Sequence, residues 1–149
     1  MVERIYPVGI QTFSDIIKRG CVYVDKTDLI YKLTKKYKYV FLSRPRRFGK
    51  SLLSTTLHSY FAGEKDLFKG LAIEGLEKDW TEYPVLHFDM SIFKYCDIKY
   101  FYEKFDIQLE DYEKKYGIER SKKTPGNRLT TLIKTIKEKT GKDLVTIID

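Results

Sequence analysis

Apolar positions along this chain recur with two periods, one helical and one of strand type, and their alternation predicts an α/β protein. Residues 5–9 read as an extended lead broken by Pro7 and Gly9. Thr12 and Asp15 stand at capping-box spacing, with Asp in the usual place of Glu, before a short helix that stops at Gly20. Residues 21–24 read as a small strand. A second helix opens at residues 25–28, with Leu29, Ile30, Leu33 and Tyr37 on one face and Lys32, Lys35 and Lys36 on the other. Residues 39–42 form an apolar, aromatic run of strand type. From Leu52 the period is helical again, with Leu53, Leu57 and Tyr60 or Phe61 facing a sheet until Gly63.

Residues 63–83 are a long connection in which Leu67, Phe68, Leu71, Ile73 and Trp80 predict a packed surface turn rather than a flexible linker. The near-continuous apolar run at 84–90 predicts a strand covered on both faces, with His87 as a satisfied core histidine. Asp97 caps a helix carrying Phe101, Phe105, Leu109, Tyr112 and Tyr116, whose intervening charges form the wet face up to Gly117. Thr124 and Pro125 open another helix with Leu129, Leu132, Ile133 and Ile136 inward and Gly141 beyond its end. A buried strand at 144–148 then leads to Asp149.

Composition narrows the class. At 149 residues with 42% hydrophobic and 15% aromatic content, the chain is one domain by size and can build a packed core. Cys21 and Cys96 lie 75 positions apart with no C-x-x-C, so neither a metal site nor a disulfide framework is expected. No apolar stretch is long enough for a membrane span and the N-terminus lacks a leader pattern, which predicts a cytoplasmic protein with no membrane partner. The net charge of +7 is uneven: residues 1–50 carry 12 Lys/Arg against 4 Asp/Glu, and the remainder 16 against 17. Such a basic first third suits a polyanionic ligand or nucleic acid.

The candidate chemistry sits at residues 38–57, KYVFLSRPRRFGKSLLSTTL, where a strand, a loop and a helix follow one another. Gly49-Lys50-Ser51 ends a loop of phosphate-binding pattern in which Arg44 replaces the usual first glycine. Gly49 lets the backbone approach closely, successive amide N–H groups converge on oxygen, and the helix presents its positive end. Lys50 is expected to reach the β- and γ-phosphates of ATP, and the Ser51 hydroxyl to ligate Mg2+. The expected nucleotide-binding set is Arg46, Arg47, Phe48, Gly49, Lys50, Ser51 and Leu52. For Arg46 and Arg47 themselves, contact with phosphate or a partner competes with plain solvation. The bland alternative for the loop is a basic cap on an ordinary helix.

Asp149, delivered at the carboxyl edge of its strand, is read as the second Mg2+ ligand and, with Lys50, as the catalytic pair. Asp89 stands at a similar edge and either faces the nucleotide or caps a turn. The lysines between 32 and 38 interleave with Tyr31, Tyr37 and Tyr39. They read either as a single-strand nucleic-acid platform or, the commoner arrangement, as a solvated basic face over a buried aromatic stripe.

IYPVGIQTF at 5–13, YVDKT at 23–27, LSRPRRFGKSLLSTTL at 42–57, VLHFDMS at 85–91 and VTIID at 145–149 together resemble the prokaryotic AAA-ATPase-like family, over nearly the whole chain. The resemblance implies a P-loop ATPase fold of three layers with parallel strands, many members carrying a PD-(D/E)XK nuclease-like domain further along. It makes Arg44 an ordinary family residue, matches Gly49, Lys50 and Ser51 to Walker A, and matches Asp149 to the Walker B aspartate. It also divides the chain into a lead-in of short helices over 1–38 and an incomplete P-loop domain over 39–149, ending after the Walker B strand.

The resemblance implies the strand order 5-1-4-3-2, in which residues 39–42 lie between two strands this sequence does not supply, which leaves their backbone groups without neighbours. The expectation is therefore the N-terminal part of a larger ATPase that binds ATP and Mg2+, hydrolyses poorly by itself, and meets nucleic acid through the longer protein. The rival expectation is a basic nucleic-acid- or protein-binding fragment without nucleotide turnover.

Overall fold

Helix α1 (Phe13–Lys18) begins where Thr12 leaves extended backbone, but the Thr12 side chain makes no capping bond. The Phe13 N–H is instead accepted by the Thr55 hydroxyl at 3.1 Å, so the expected capping box is replaced by a contact with a later helix. The computed structural model describes residues 5–45, 47–90, 97–120 and 123–149, which fall into two compact units, Met1–Glu82 and Tyr83–Asp149.

The first unit contains α1, α2 (Thr27–Lys36), α3 (Lys50–Phe61), a 3-10 turn (Lys65–Phe68) and α4 (Ala72–Leu76). Phe13, Ile30, Tyr60, Leu67, Phe68 and Ile73 form its buried core, with Leu53, Leu57 and Trp80 packed against it. Three of those six come from the connection at 63–83, which is a core-forming segment rather than a surface turn. Phe68 anchors it, with ring centroids 4.8 Å from Phe13 and 5.2 Å from Trp80. Gly63 sits at φ 72° and a Cβ there would stand 3.1 Å from the Glu82 Cβ, so a side chain would be strained by the backbone and tightly placed.

Two polar anchors hold these helices, each with one buried member, Thr27 and Glu77. The Asp25 carboxylate accepts from the Thr27 N–H (2.9 Å), the Thr27 hydroxyl (2.7 Å) and the Ala72 N–H (2.7 Å), while the Thr27 hydroxyl oxygen accepts from the Ile73 N–H (3.0 Å). The D-x-T of YVDKT thereby satisfies N–H groups at the starts of α2 and α4 together. Glu77 accepts from the Tyr60 hydroxyl at 2.5 Å and pairs with Lys35 at 3.0 Å. Burial alone would raise the Glu77 carboxyl, but these donors and the Asp79 N–H hold it down at about 2.

Several expectations change here. The inner face of α2 is Thr27 and Ile30, with Tyr31 alongside, whereas Leu29 and Tyr37 are exposed. The register of a helix face is set by what it packs against, and here the Asp25–Thr27 anchor turns it. Residues 21–24 form no strand; the Cys21 N–H bonds back to the Ile16 carbonyl at 3.0 Å and the Val22 N–H to the Ile5 carbonyl at 2.9 Å. Residues 39–42 form no strand either. Among the described residues their backbone groups make no hydrogen bond with other backbone, and all four side chains are exposed. Helix α3 accordingly packs on α1 and the 3-10 turn within its unit instead of a sheet.

The second unit is built on β1 (Val85–Phe88) and β2 (Val145–Ile148), parallel and in register from Val85 opposite Val145 to Phe88 opposite Ile148. Bonds from the Val145 N–H to the Pro84 carbonyl, the Asp149 N–H to Phe88 and the Met90 N–H to Asp149 extend the ladder at both ends. Helices α5 (Ile98–Lys115) and α6 (Pro125–Thr140) cover β1, closing a core of Leu86, Phe88, Leu109, Leu132 and Ile136.

The remaining edge of β1 is sealed by side chains. The Tyr112 hydroxyl accepts from the His87 N–H (2.7 Å) and donates to the His87 carbonyl (3.0 Å). One turn earlier, the Gln108 amide does the same for Asp89, at 3.0 and 3.1 Å. β1 is covered on both faces as expected, but β2 is not: Ile147 is buried while Thr146 and Ile148 are exposed.

The supposed wet face of α5 is dry at Glu113. Its carboxylate takes a bidentate pair from the Arg128 guanidinium of α6 (2.9 and 2.6 Å), with Arg128 only 2% exposed. Asp106 also pairs with Arg128, and Arg120 joins Asp106 and Glu110 on the rim. Among the described residues no helix is long and apolar enough to cross a membrane.

Three outcomes follow from this packing. Glu113→Ala or Arg128→Ala leaves a buried charge without its partner and should cost about 3–5 kcal/mol in urea unfolding, whereas the paired exchange Glu113→Leu with Arg128→Met should cost far less. Because the folded Glu77 carboxyl sits near 2 against an ordinary 4.5, its charged form stabilises the fold above pH 4.5 and the contribution is lost as pH falls through 2. Trp80 fluorescence should show Glu77→Gln less stable than the parent at neutral pH, with the gap closing across that window.

Burial pushes the His87 imidazole below 6.5, while the Asp149 and Asp89 carboxylates pull it upward. Its neutral form is thus the folded one, stability declines as pH falls below 6.5, and Asp149→Asn should lower the His87 NMR titration midpoint further.

Candidate functional site

Residues 42–45 approach α3 without regular structure, and the chain then makes two left-handed turns in three residues. Arg47 has φ 65° and Gly49 has φ 71° and ψ 26°, with Phe48 between them at negative φ and helical backbone from Lys50. Alternating φ sign turns successive N–H groups toward a common centre, the geometry that cups an anion. A Cβ at Gly49 would meet nothing within 4 Å, so glycine is required there by its dihedral angle and not by space. Arg47 holds the same hand with a full side chain, which costs on the order of 1–2 kcal/mol.

Helix α3 adds its own field. It runs for 12 residues from Lys50 with no acidic side chain in its first turn, so its unpaired N–H groups and positive end are not neutralised locally. The Leu53 N–H makes the first helical bond, to the Gly49 carbonyl at 3.0 Å. The Lys50 ammonium folds back over the loop and donates to the Arg44 carbonyl at 2.9 Å. That bond spans the loop from the position where glycine is usual to the helix start, and it keeps the cation on the loop's own side.

The other expected residues divide. Phe48 is exposed and Leu52 packs its side chain against the core of the unit, so Leu52 offers the loop only its main chain. Ser51 lies in the first turn of α3, where its carbonyl accepts from the Ser54 hydroxyl at 2.9 Å. Arg46 lies outside the described residues. Arg47, Phe48, Gly49, Lys50, Ser51 and Leu52 therefore belong to one continuous turn in the first unit, while Asp149 belongs to the second.

In the second unit Asp149 and Asp89 occupy the carboxyl ends of the paired strands, and both carboxylates act on His87. Parallel strands bring their carboxyl ends to one edge, which is why two residues 60 positions apart in the sequence share it.

Sequence reading missed two contributions. The Arg44 main-chain oxygen, rather than its side chain, receives Lys50, and Arg47 adopts left-handed backbone; no side-chain pattern reports either. The sealing of β1 by Tyr112 and Gln108 carried one signal, their spacing of four on α5.

The chain is 34% identical over 151 residues to an uncharacterized protein in the vnfD 5' region of Azotobacter chroococcum mcd 1, a match that covers all of this chain and 29% of the relative. No solved structure gives a significant match. The family of predicted AAA-ATPases matches residues 7–149. The chain belongs to that family.

Proposed function

We propose that this chain is the phosphate-holding part of a P-loop ATPase and binds ATP with Mg2+ through the turn at residues 44–52. The observation that carries the reading is the left-handed pair Arg47 and Gly49 running directly into an unneutralised helix start. Backbone N–H groups held in that curl need no rearrangement to receive phosphate oxygens, and the Lys50 ammonium exchanges one carbonyl partner for the β- and γ-phosphates.

The donor set suits magnesium. A serine hydroxyl and an aspartate carboxylate are the hard oxygen ligands this ion takes, few in number because water and phosphate fill the rest of its octahedron. Ser51 is the residue of this turn that would hold it, and Asp149 is taken as a magnesium ligand on the family resemblance alone. When bound, Mg2+ neutralises charge on the phosphates and fixes their geometry. The parallel pairing of β1 with β2, which sets Asp149 at a carboxyl edge, supports a P-loop type of sheet. Because the chain spans 29% of the curated relative, ATP hydrolysis belongs in this proposal to the longer protein.

A fluorescent ATP analogue titrated into the chain with Mg2+ tests the reading. Lys50→Ala should weaken binding about tenfold to a hundredfold, the worth of a charge-assisted bond. Gly49→Val should do the same by disallowing the turn, and Ser51→Ala should erase the gain from Mg2+ while sparing binding in EDTA. Equal affinity in the parent and Lys50→Ala overturns the proposal.

A further inference from the structure

Among the described residues only two that are not glycine hold left-handed backbone, Trp80 at φ 44° and Arg47 at φ 65°. At Trp80 packing offsets the strain, since its ring centroid lies 5.2 Å from that of Phe68 and 6.0 Å from that of Tyr60 in the core of the first unit. Arg47 carries a guanidinium instead, in the turn before α3. Two residues on, where the same hand recurs, the chain uses glycine although a Cβ there would meet nothing within 4 Å. Glycine would serve the backbone equally well at 47. A side chain held in a hand that costs it energy points to a task for that side chain.

Charge narrows the task. Between Asp28 and Glu64 the chain has eight Lys or Arg residues and no Asp or Glu. The Asp28 and Glu77 carboxylates pair with Lys32 and Lys35, and among the described residues no ion pair includes Arg47. Its own segment thus offers this guanidinium no anion, while the curl of N–H groups it belongs to is of the kind that holds one.

We propose that Arg47 selects a nucleoside triphosphate over a diphosphate at this turn, its guanidinium taking an oxygen of the γ-phosphate. The inference rests on the reading that the turn binds ATP. A terminal phosphate presents three acceptor oxygens. One goes to the magnesium that Ser51 would hold and one to the Lys50 ammonium, which leaves the Arg44 carbonyl for it. The third needs another donor, and Arg47 stands three residues before Lys50 in the same turn. A guanidinium suits that oxygen because it is always charged, weakly hydrated and forked. A diphosphate lacks the group Arg47 would meet, yet keeps the phosphate that the main-chain N–H groups cup. The other anion open to a guanidinium is a carboxylate of the longer protein, and such a pair would be indifferent to the γ-phosphate.

Fluorescent analogues of ATP and of ADP, each with Mg2+, are titrated into the whole chain and into the variants Arg47→Gly and Lys50→Ala. Arg47→Gly should weaken ATP binding about tenfold, the worth of one charge-assisted hydrogen bond, and leave ADP binding within about twofold. Lys50→Ala should weaken both nucleotides. The ATP-to-ADP ratio lost with Arg47 should persist at about 0.5 M salt, where diffuse charge is screened and a direct contact much less so. Glycine accepts left-handed backbone, so Arg47→Gly should melt at or above the parent temperature.

An unchanged ATP-to-ADP ratio in Arg47→Gly overturns the inference and is the result a carboxylate partner would give; with Lys50→Ala still weakening both nucleotides, the ATP-binding reading survives it. A ratio that vanishes in salt overturns the inference as well, by making diffuse charge its cause. A parent chain that binds neither nucleotide overturns both.

Discussion

Tyr112 and Gln108 each use both a donor and an acceptor on the backbone of β1, and the second unit depends on that sealing. A strand has two edges, and its N–H and C=O groups need partners on both or access to water. β2 supplies one edge of β1 through a parallel ladder from Pro84 to Met90, and α5 supplies the other through two side chains one turn apart. With β2 on one edge and these two side chains on the other, Leu86 and Phe88 are buried under α5 and α6. Residues 39–42 show the converse. Their side chains are as apolar as those of β1, but without neighbours for the backbone they stay in water.

The same rule governs the charges each unit buries. Glu77 is tolerated because the Tyr60 hydroxyl, Lys35 and two backbone N–H groups from the following turn all point at it. Arg128 is tolerated because Glu113 meets its guanidinium bidentately and Asp106 takes another nitrogen. Such pairs add less to net stability than their short contacts suggest, since desolvation offsets much of the attraction. What they fix is register: Glu113 with Arg128 sets which faces of α5 and α6 meet, and Asp25 with Thr27 sets α2 against α4.

The loop before α3 stores conformational cost in a place where packing does not demand it. Arg47 is left-handed while exposed, and nothing crowds Gly49. Strain that no core contact explains is what a preorganised ligand site requires, since main-chain donors already turned inward lose little on binding.

Much of this was readable from residue order. Thr124-Pro125 and Gly141 mark the bounds of α6, the apolar run at 84–90 marks β1, the spacing from Phe105 to Tyr116 marks the buried face of α5, and Gly49-Lys50-Ser51 marks the start of α3. These are local signals, set by dihedral preference and by the period of apolar side chains. Tertiary structure alone decided the rest. Whether residues 39–42 become a strand depends on backbone partners remote in sequence, and Leu67, Phe68 and Ile73 become core because α1, α2 and α3 leave a space they fill. That Glu113 is dry while its neighbours are wet follows from where Arg128 lands. Sequence determines which residues can bury or pair; which of them do so is set by contacts between segments far apart, and no local period encodes those.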